Sequence, residues 1–224
     1  MRTAEELCRQ IHQMLESLPV LKDVSSIPFE SGLYFFYEDG ETSAHGQSGR
    51  IVRIGNHPRS QNTLKRRLRM HYSGNKNSSA FRKLLGGAIL RSRDPKHPCL
   101  QPAPGQGHWE KQEMPTCEKC RPIEAEVSQM LRTRFRFRCV EVKAIDERNS
   151  LEKKLIATIS LCHVCKPTGD WLGGYAYSTK VRESGLWNSD NVFDKRLLLD
   201  GLDLDRLQEL VSSTLERAKE KSVT

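Results

Sequence analysis

The spacing of hydrophobic positions along the chain predicts helices over much of its length. In residues 4–18, Leu7, Ile11, Met14 and Leu18 recur every three or four positions, which is the pattern of an amphipathic helix. The same spacing recurs in five later segments, and each is predicted to be helical: 63–73, 79–91, 123–133, 146–162 and 203–218.

Three other segments have the composition or alternation of β-strands. GLYFFYE (32–38) is rich in aromatic residues, RIVRI (50–54) follows a polar turn, and RFRFRCVEVK (134–143) alternates. The first two predict an antiparallel hairpin with a long connection. The order of elements therefore predicts an α+β fold, with a small antiparallel or mixed sheet of about three strands flanked by helices.

The segments also suggest how the chain is organised. Its 224 residues are enough for one substantial domain. We expect an N-terminal helix and connector over 1–28, a core over 29–195, and a C-terminal helical extension over 196–224. Residues 94–122 are rich in Pro, Gly, His and Cys and are predicted to form an insertion loop. Residues 163–190 are predicted to be mostly loop.

The charge adds a functional expectation, because the chain is basic and its cations are unevenly spread. The formal net charge is +8. Between Arg50 and Lys96 there are thirteen Lys and Arg residues, and Asp94 is the sole acidic residue. Such a segment is typical of a surface that binds a polyanion, and on charge alone RNA, DNA and acidic lipid all remain open.

The hydrophobic runs are short, which bears on location. The longest purely apolar run, LYFFY, is far below the length of a membrane span. The first residues read as an amphipathic helix and lack the apolar stretch of a secretory signal. We therefore expect a cytoplasmic protein without a membrane segment.

The segment NTLKRRLRMHYSGN (62–75) concentrates the basic charge on one predicted helix. Four cations on so short a helix repel one another unless an anion lies nearby. Two interpretations are open, namely a solvated basic face and a phosphate-binding site. The cations are Lys65, Arg66, Arg67 and Arg69.

Five short motifs connect this helix to other parts of the chain. In order they are GLY (32–34), RIG (53–55), LKRRLRMHY (64–72), LEKKLI (151–156) and SGLWN (184–188). In this order and context they resemble the motifs of the GIY-YIG nuclease superfamily, over roughly residues 30–190. The resemblance implies a metal-dependent endonuclease that hydrolyses phosphodiester bonds in DNA, in a restriction-like, repair-like or housekeeping role.

The resemblance also implies a set of catalytic residues. Tyr34 would orient or deprotonate the attacking water, and Arg67 would neutralise charge on the phosphoryl oxygens, which a guanidinium can grip in pairs. His71 lies one helical turn after Arg67 and would contact the phosphate or relay a proton. Glu152 would hold Mg²⁺ or Mn²⁺, since such sites use few protein carboxylates. Asn188 would contact phosphate or water.

One position departs from the family pattern. Arg53 stands where the second motif usually has a tyrosine. A phenol ordinarily loses its proton near pH 10, so Tyr34 needs nearby cations such as Arg53 and Arg67 to act as a base. Two alternatives follow. Either Tyr34 is the base, with His71 or His57 assisting, or the protein is less active than other members of the family.

Two further functions therefore remain open beside the DNA endonuclease. One is a catalytically weak or inactive nucleic-acid-binding module on the same fold, and the other is an RNA-directed nuclease. In each case the same side chains are expected to contact nucleic acid, and a monomer and a homodimer are both open. Those side chains are Arg53, Lys65, Arg66 and Arg69.

The cysteines raise a separate question about a structural metal. Cys117 and Cys120 form one C-x-x-C pair, and Cys162 and Cys165 form another. Four thiolates suit a tetrahedral zinc ion, although the two pairs are farther apart than in compact zinc ribbons. Free thiols are the alternative. Seven cysteines in a chain expected to be cytoplasmic do not indicate a disulfide framework.

Overall fold

The fold is described from a computed structural model. It describes residues 2–47, 49–57, 63–101, 109–110 and 118–222.

A three-stranded antiparallel sheet forms the centre of the described chain. Its strands are β1 (Gly32–Thr42), β2 (Gly49–Gly55) and β3 (Phe135–Glu141), in the order β2-β1-β3. The α+β class and the small antiparallel sheet are thereby confirmed. The first part of β1 is buried on both faces, which explains why its sequence is apolar throughout instead of alternating.

Seven α-helices surround the sheet in the described residues. They are α1 (Ala4–Glu16), α2 (Leu64–Ser73), α3 (Ala80–Arg93), α4 (Arg121–Arg134), α5 (Ile145–Ser160), α6 (Thr179–Ser184) and α7 (Gly201–Ser222). Six of them match predicted helices within a few residues. The short helix α6 lies in the segment predicted to be loop, because six residues are too few to show helical periodicity.

The alternation of side chains along β1 divides the interior into two cores. Tyr34 and Phe36 face the core built with α2, α3 and α4. Leu33 and Phe35 face the core built with α1, α5 and α7. Helices therefore cover both faces of the sheet.

Helix α2 is held in place at its first turn and along one stripe. The Thr63 side chain accepts a hydrogen bond from the Arg66 backbone N–H at 3.2 Å, which caps the helix. The Leu64 N–H donates to the Glu30 carbonyl at 2.8 Å, just before β1 begins. Because Leu64 and Leu68 are fully buried, Arg67 and His71 are fixed relative to the end of the sheet.

The edge of the sheet at β2 is covered by the chain that follows α6. The Trp187 N–H donates to the Val52 carbonyl at 2.6 Å. The Asn188 carboxamide hydrogen-bonds both the N–H and the carbonyl of Ile54, at 3.1 and 2.9 Å. These contacts satisfy backbone groups of an edge strand and bring residues 187–191 to the end of β2.

The insertion is joined to the core by an aromatic side chain and a disulfide. Trp109 is fully buried and donates its indole N–H to the Lys83 carbonyl at 2.9 Å. Gly86 on α3 makes room for it, since a Cβ there would lie 2.0 Å from the Trp109 ring. Cys99 and Cys120 form a disulfide that was not predicted from the sequence.

Candidate active site

A cavity of about 220 Å³ lies where the ends of several elements meet beside β2. It is lined by side chains far apart in the sequence, from β1, β2, α2, α5 and the segment after α6. Those expected to be functional are Tyr34, Arg53, Arg67, Glu152 and Asn188. Of the five side chains implied to be catalytic, only His71 does not line the cavity.

His71 lies directly behind Tyr34. The Tyr34 hydroxyl is 2.8 Å from His71 Nε2, and His71 Nδ1 is 2.7 Å from the Ser79 hydroxyl. The Ser79 oxygen also accepts a hydrogen bond from the Arg82 N–H at 3.2 Å, as the cap of α3. These contacts form a continuous hydrogen-bonded chain from Tyr34 through the imidazole to Ser79.

The surroundings of His71 determine its protonation. It is completely buried, and burial lowers the pKa of His71 well below its ordinary value; Arg67, Arg53 and Arg82 lower it further. His71 is therefore neutral near pH 7, with one ring nitrogen as a donor and the other as an acceptor. If Nδ1–H donates to Ser79, Nε2 accepts a hydrogen bond from the Tyr34 hydroxyl.

Gly55 makes room for the phenol of Tyr34. Their Cα atoms are paired across β1 and β2. A Cβ on Gly55 would lie 2.2 Å from the Tyr34 hydroxyl oxygen and 2.3 Å from the ring carbon that carries it. The glycine of the RIG motif is thus required by the close approach of the phenol.

Two guanidinium groups in the cavity have donors without partners. Arg67 donates one N–H to the Ser78 carbonyl at 3.2 Å, and Arg53 donates one to the Trp187 carbonyl. The Arg53 guanidinium also lies 5.0 Å from the centre of the Phe81 ring. Among the residues that the structure describes, neither Nε atom has a hydrogen-bond acceptor, although both are buried. Such donors suit an anionic oxygen from outside the protein.

The charged groups of the cavity alter the pKa values of one another. Burial lowers the pKa of Arg53; Arg67 lowers it further, and Tyr34 and Glu152 oppose the change. Burial raises the pKa of Glu152, and Arg53 and Arg67 oppose that change. The replacement of the motif tyrosine by Arg53 therefore places a second cation beside Tyr34.

Glu152 and Asp190 give the cavity two carboxylates. Glu152 lies on α5 and is partly buried, whereas Asp190 is exposed and lies on the segment that covers β2. A hard divalent cation prefers such oxygen ligands and commonly takes one or two carboxylates, completing its shell with water and phosphate. This donor set fits the Mg²⁺ or Mn²⁺ that the resemblance implies.

Asn188 has a structural contact that the sequence did not suggest. Its carboxamide oxygen accepts from the Ile54 N–H, and its amide donates to the Ile54 carbonyl. It therefore holds the segment that carries Asp190 against β2. A contact with phosphate or water stays a prediction.

The remaining basic residues differ in their surroundings. Lys65 forms a salt bridge with Glu30 at 3.1 Å, while Arg66 and Arg69 are exposed on the outer surface of α2. His57 is buried behind β1, where its Nε2 lies 3.3 Å from the Gly32 N–H. Arg66 and Arg69 are therefore the exposed cations on the outside of α2.

The cysteines do not form the four-thiolate group expected from the sequence. Cys120 is bonded to Cys99 and lies in the core on the α2, α3 and α4 face. Cys162 and Cys165 lie in the core on the other face, and Cys117 lies outside the described residues. This corrects the expected grouping, because the sheet separates Cys120 from the second pair.

Several residues of the site were not predicted from the sequence. Ser79 could have been recognised as the cap of a predicted helix, but its contact with His71 depends on how α2 and α3 pack. Asn56 and Asp190 line the cavity from segments without a motif of their own.

The chain matches a known protein family. A family model described as the GIY-YIG domain matches residues 2–217. No curated protein and no solved structure matches the chain. None of the helices in the described part of the chain is long and apolar enough to cross a membrane.

Proposed function

Because the chain belongs to the GIY-YIG domain family, we propose that it is a divalent-metal-dependent endonuclease that hydrolyses phosphodiester bonds in DNA and acts in the cytoplasm. The family implies nuclease-type activity and a nucleic-acid substrate. The choice of DNA, the metal dependence, the location and the roles of individual residues belong to the proposal.

The observation that carries the proposal is the composition of the cavity. Arg53 and Arg67 present buried Nε donors that have no partner among the described residues, beside a phenol and a carboxylate. A phosphodiester brings two anionic or partly charged oxygens to these donors. The extra negative charge that develops during hydrolysis strengthens these contacts, which is the condition for catalysis by charge stabilisation.

Tyr34 acts as the base in this proposal, and neutral His71 orients its hydroxyl. Nε2 of His71 accepts a hydrogen bond from the Tyr34 hydroxyl while Nδ1–H stays bonded to Ser79. In its phenolate form, Tyr34 takes a proton from a water molecule, whose oxygen attacks phosphorus as the bond to the leaving oxygen breaks, and the leaving oxygen takes a proton from solvent water. Arg53 and Arg67 stabilise the phenolate, so the arginine in the second motif partly replaces the missing tyrosine.

Glu152 and Asp190 would hold Mg²⁺ or Mn²⁺, and the ion would supply a Lewis acid that neutralises charge on phosphoryl oxygens. Asn188 holds the Asp190 segment in place. Arg66 and Arg69 bind the DNA backbone from the surface of α2, so we expect affinity to fall steeply as the salt concentration rises.

The test is cleavage of supercoiled plasmid by the purified full-length chain in Mg²⁺ or Mn²⁺. Glu152→Gln removes the carboxylate charge without changing its size and should abolish nicking while leaving DNA binding within a fewfold of wild type. Glu147→Gln is the matched control, because Glu147 lies on the same helix in a surface pair with Arg206 at 2.6 Å. Its loss should leave cleavage unchanged.

The outcomes separate the three functions. Nicking that is lost in Glu152→Gln and kept in Glu147→Gln supports the endonuclease. Cleavage of RNA of the same sequence, with DNA left intact, would replace the proposed substrate. Tight, salt-sensitive binding without cleavage of either nucleic acid would indicate a binding module instead.

A further inference from the structure

Three thiols and two imidazoles converge in the core on the α1, α5 and α7 face of the sheet. They come from α1, from the connection between β1 and β2, and from the turn after α5. All five are buried, and none lines the candidate active site. The residues are Cys8, His12, His45, Cys162 and Cys165.

The possible ligand atoms of this cluster lie near one another. Cys8 forms one group with His45 and Cys162 and another with His12 and Cys165, and the ligand atoms of each group lie within 4.8 Å of one another. His45 Nε2 is 3.1 Å from Cys162 Sγ, and His12 Nε2 is 3.6 Å from Cys165 Sγ. Around a tetrahedral zinc ion, bond lengths of about 2.0–2.3 Å place neighbouring ligand atoms about 3.6–3.8 Å apart.

Local structure places several of these side chains near one another, as binding of one metal ion requires. Cys8 and His12 are four residues apart on α1 and so share a face of the helix. Cys162 and Cys165 form a C-x-x-C turn in which the Cys165 N–H donates to Cys162 Sγ at 3.4 Å. The Ser43 hydroxyl lies 3.7 Å from Cys165 Sγ. Amide and hydroxyl donors around sulfur commonly support metal-bound thiolates.

The second nitrogen of His12 helps to choose between the two histidines. Within the described part of the chain, His12 Nδ1 is buried without a hydrogen-bond partner. An imidazole bound to zinc usually donates its other N–H to an acceptor, so His12 is the weaker candidate.

We propose that Cys8, His45, Cys162 and Cys165 bind one structural zinc ion. Thiolate and imidazole ligands select zinc over magnesium, and four protein ligands in a buried site leave no position open for substrate. This ion is therefore distinct from the divalent cation proposed at Glu152. It ties α1 and the β1–β2 connection to the end of α5, the helix that carries Glu152.

The test is the metal content and ligand shell of the full-length protein, expressed in zinc-supplemented medium and freed of loosely bound metal. We expect about one zinc ion per chain, bound by three sulfurs at about 2.3 Å and one nitrogen at about 2.0 Å in X-ray absorption spectra. Cys8→Ser, Cys165→Ser and His45→Ala should each lose most of the zinc. Cys139→Ser should retain it, because Cys139 is a buried thiol in the other core.

Other results would overturn the inference. One is protein without bound zinc that also gives no thiolate-to-metal absorption when Co²⁺ is added. Another is zinc that is lost in Cys120→Ser but kept in Cys8→Ser, which would place the metal at the insertion. Loss in His12→Ala with retention in His45→Ala would overturn the choice of His45. If the cysteine variants do not fold, the absorption spectra of the unaltered protein still decide the ligand shell.

Discussion

Replacing Tyr34 by phenylalanine tests the proposed proton transfer with a small change in structure. The substitution removes one hydroxyl oxygen, which lies 2.8 Å from His71 Nε2. The ring keeps its edge contacts with Phe36 and His71, whose ring centres are 5.5 and 5.4 Å away. We therefore expect Tyr34→Phe to keep the fold and the cavity while losing the base.

The expected effects on stability and on activity differ in size. Loss of one hydrogen bond leaves a buried nitrogen of His71 without its partner and costs about 1–2 kcal/mol of the free energy of unfolding. For a chain of this length that lowers the melting temperature by about 2–8 °C. Loss of a general base lowers the rate of cleavage about 10²–10⁴-fold, which is about 3–5 kcal/mol in the barrier.

The assay is the rate of plasmid nicking with protein in excess, measured with the melting temperature and DNA affinity of the same preparations. Tyr72→Phe is the matched control. Tyr72 lies next to His71 and contacts the same Phe36 ring, but its hydroxyl is buried without a hydrogen-bond partner among the described residues. Removing that hydroxyl should leave both cleavage and stability nearly unchanged.

One result would refute the reasoning directly. If Tyr34→Phe cleaves within about threefold of the unaltered protein, Tyr34 is not the base. If it loses cleavage only together with DNA binding or folding, the hydroxyl acts through structure and not through proton transfer.

Three further predictions concern neighbours of Tyr34. Gly55→Ala should lower the nicking rate about 10²-fold with normal DNA affinity, because its Cβ displaces the phenol; unchanged cleavage would show that the phenol can move freely. Arg67→Lys should lower the single-turnover rate about 10²-fold or more, since an ammonium cannot replace the paired donors; a rate equal to that of the unaltered protein would exclude paired contacts. Because burial lowers the pKa of His71, the folded protein favours the neutral imidazole. Its contribution to the free energy of unfolding is present above pH 6.5 and declines as the pH falls below that value. At pH 5 the loss is about 2 kcal/mol, so His71→Gln should reduce the drop in melting temperature between pH 7 and pH 5 by about 4–8 °C; an unchanged drop would mean that His71 is charged in the fold.

The local pattern of the sequence was enough to predict most secondary structure and the family. Buried Leu7 and Ile11 lie on one face of α1 as their spacing predicted. The alternation of the strands, the hairpin and each short motif are also local signals. They depend on residues within a few positions of one another, and so can be read without knowing how the chain packs.

The tertiary structure decided which residues meet. Arg53 lies in a strand that the sequence predicted. Its burial beside Tyr34, however, depends on how β2 pairs with β1 and on the segment that covers β2. The neutral state of His71 likewise depends on α3, because burial and the Ser79 contact come from that helix.

The cysteines show most clearly what the local sequence predicts and what only the tertiary structure decides. The C-x-x-C spacing identified Cys162 and Cys165, yet pairing them with Cys120 was wrong, because Cys120 is bonded to Cys99. Cys8 and His45, more than a hundred residues away in the sequence, lie beside them because α1 and the β1–β2 connection pack against the end of α5. Spacing is a local property of the chain, whereas the partners of a buried ligand are determined by which elements share a face of the sheet.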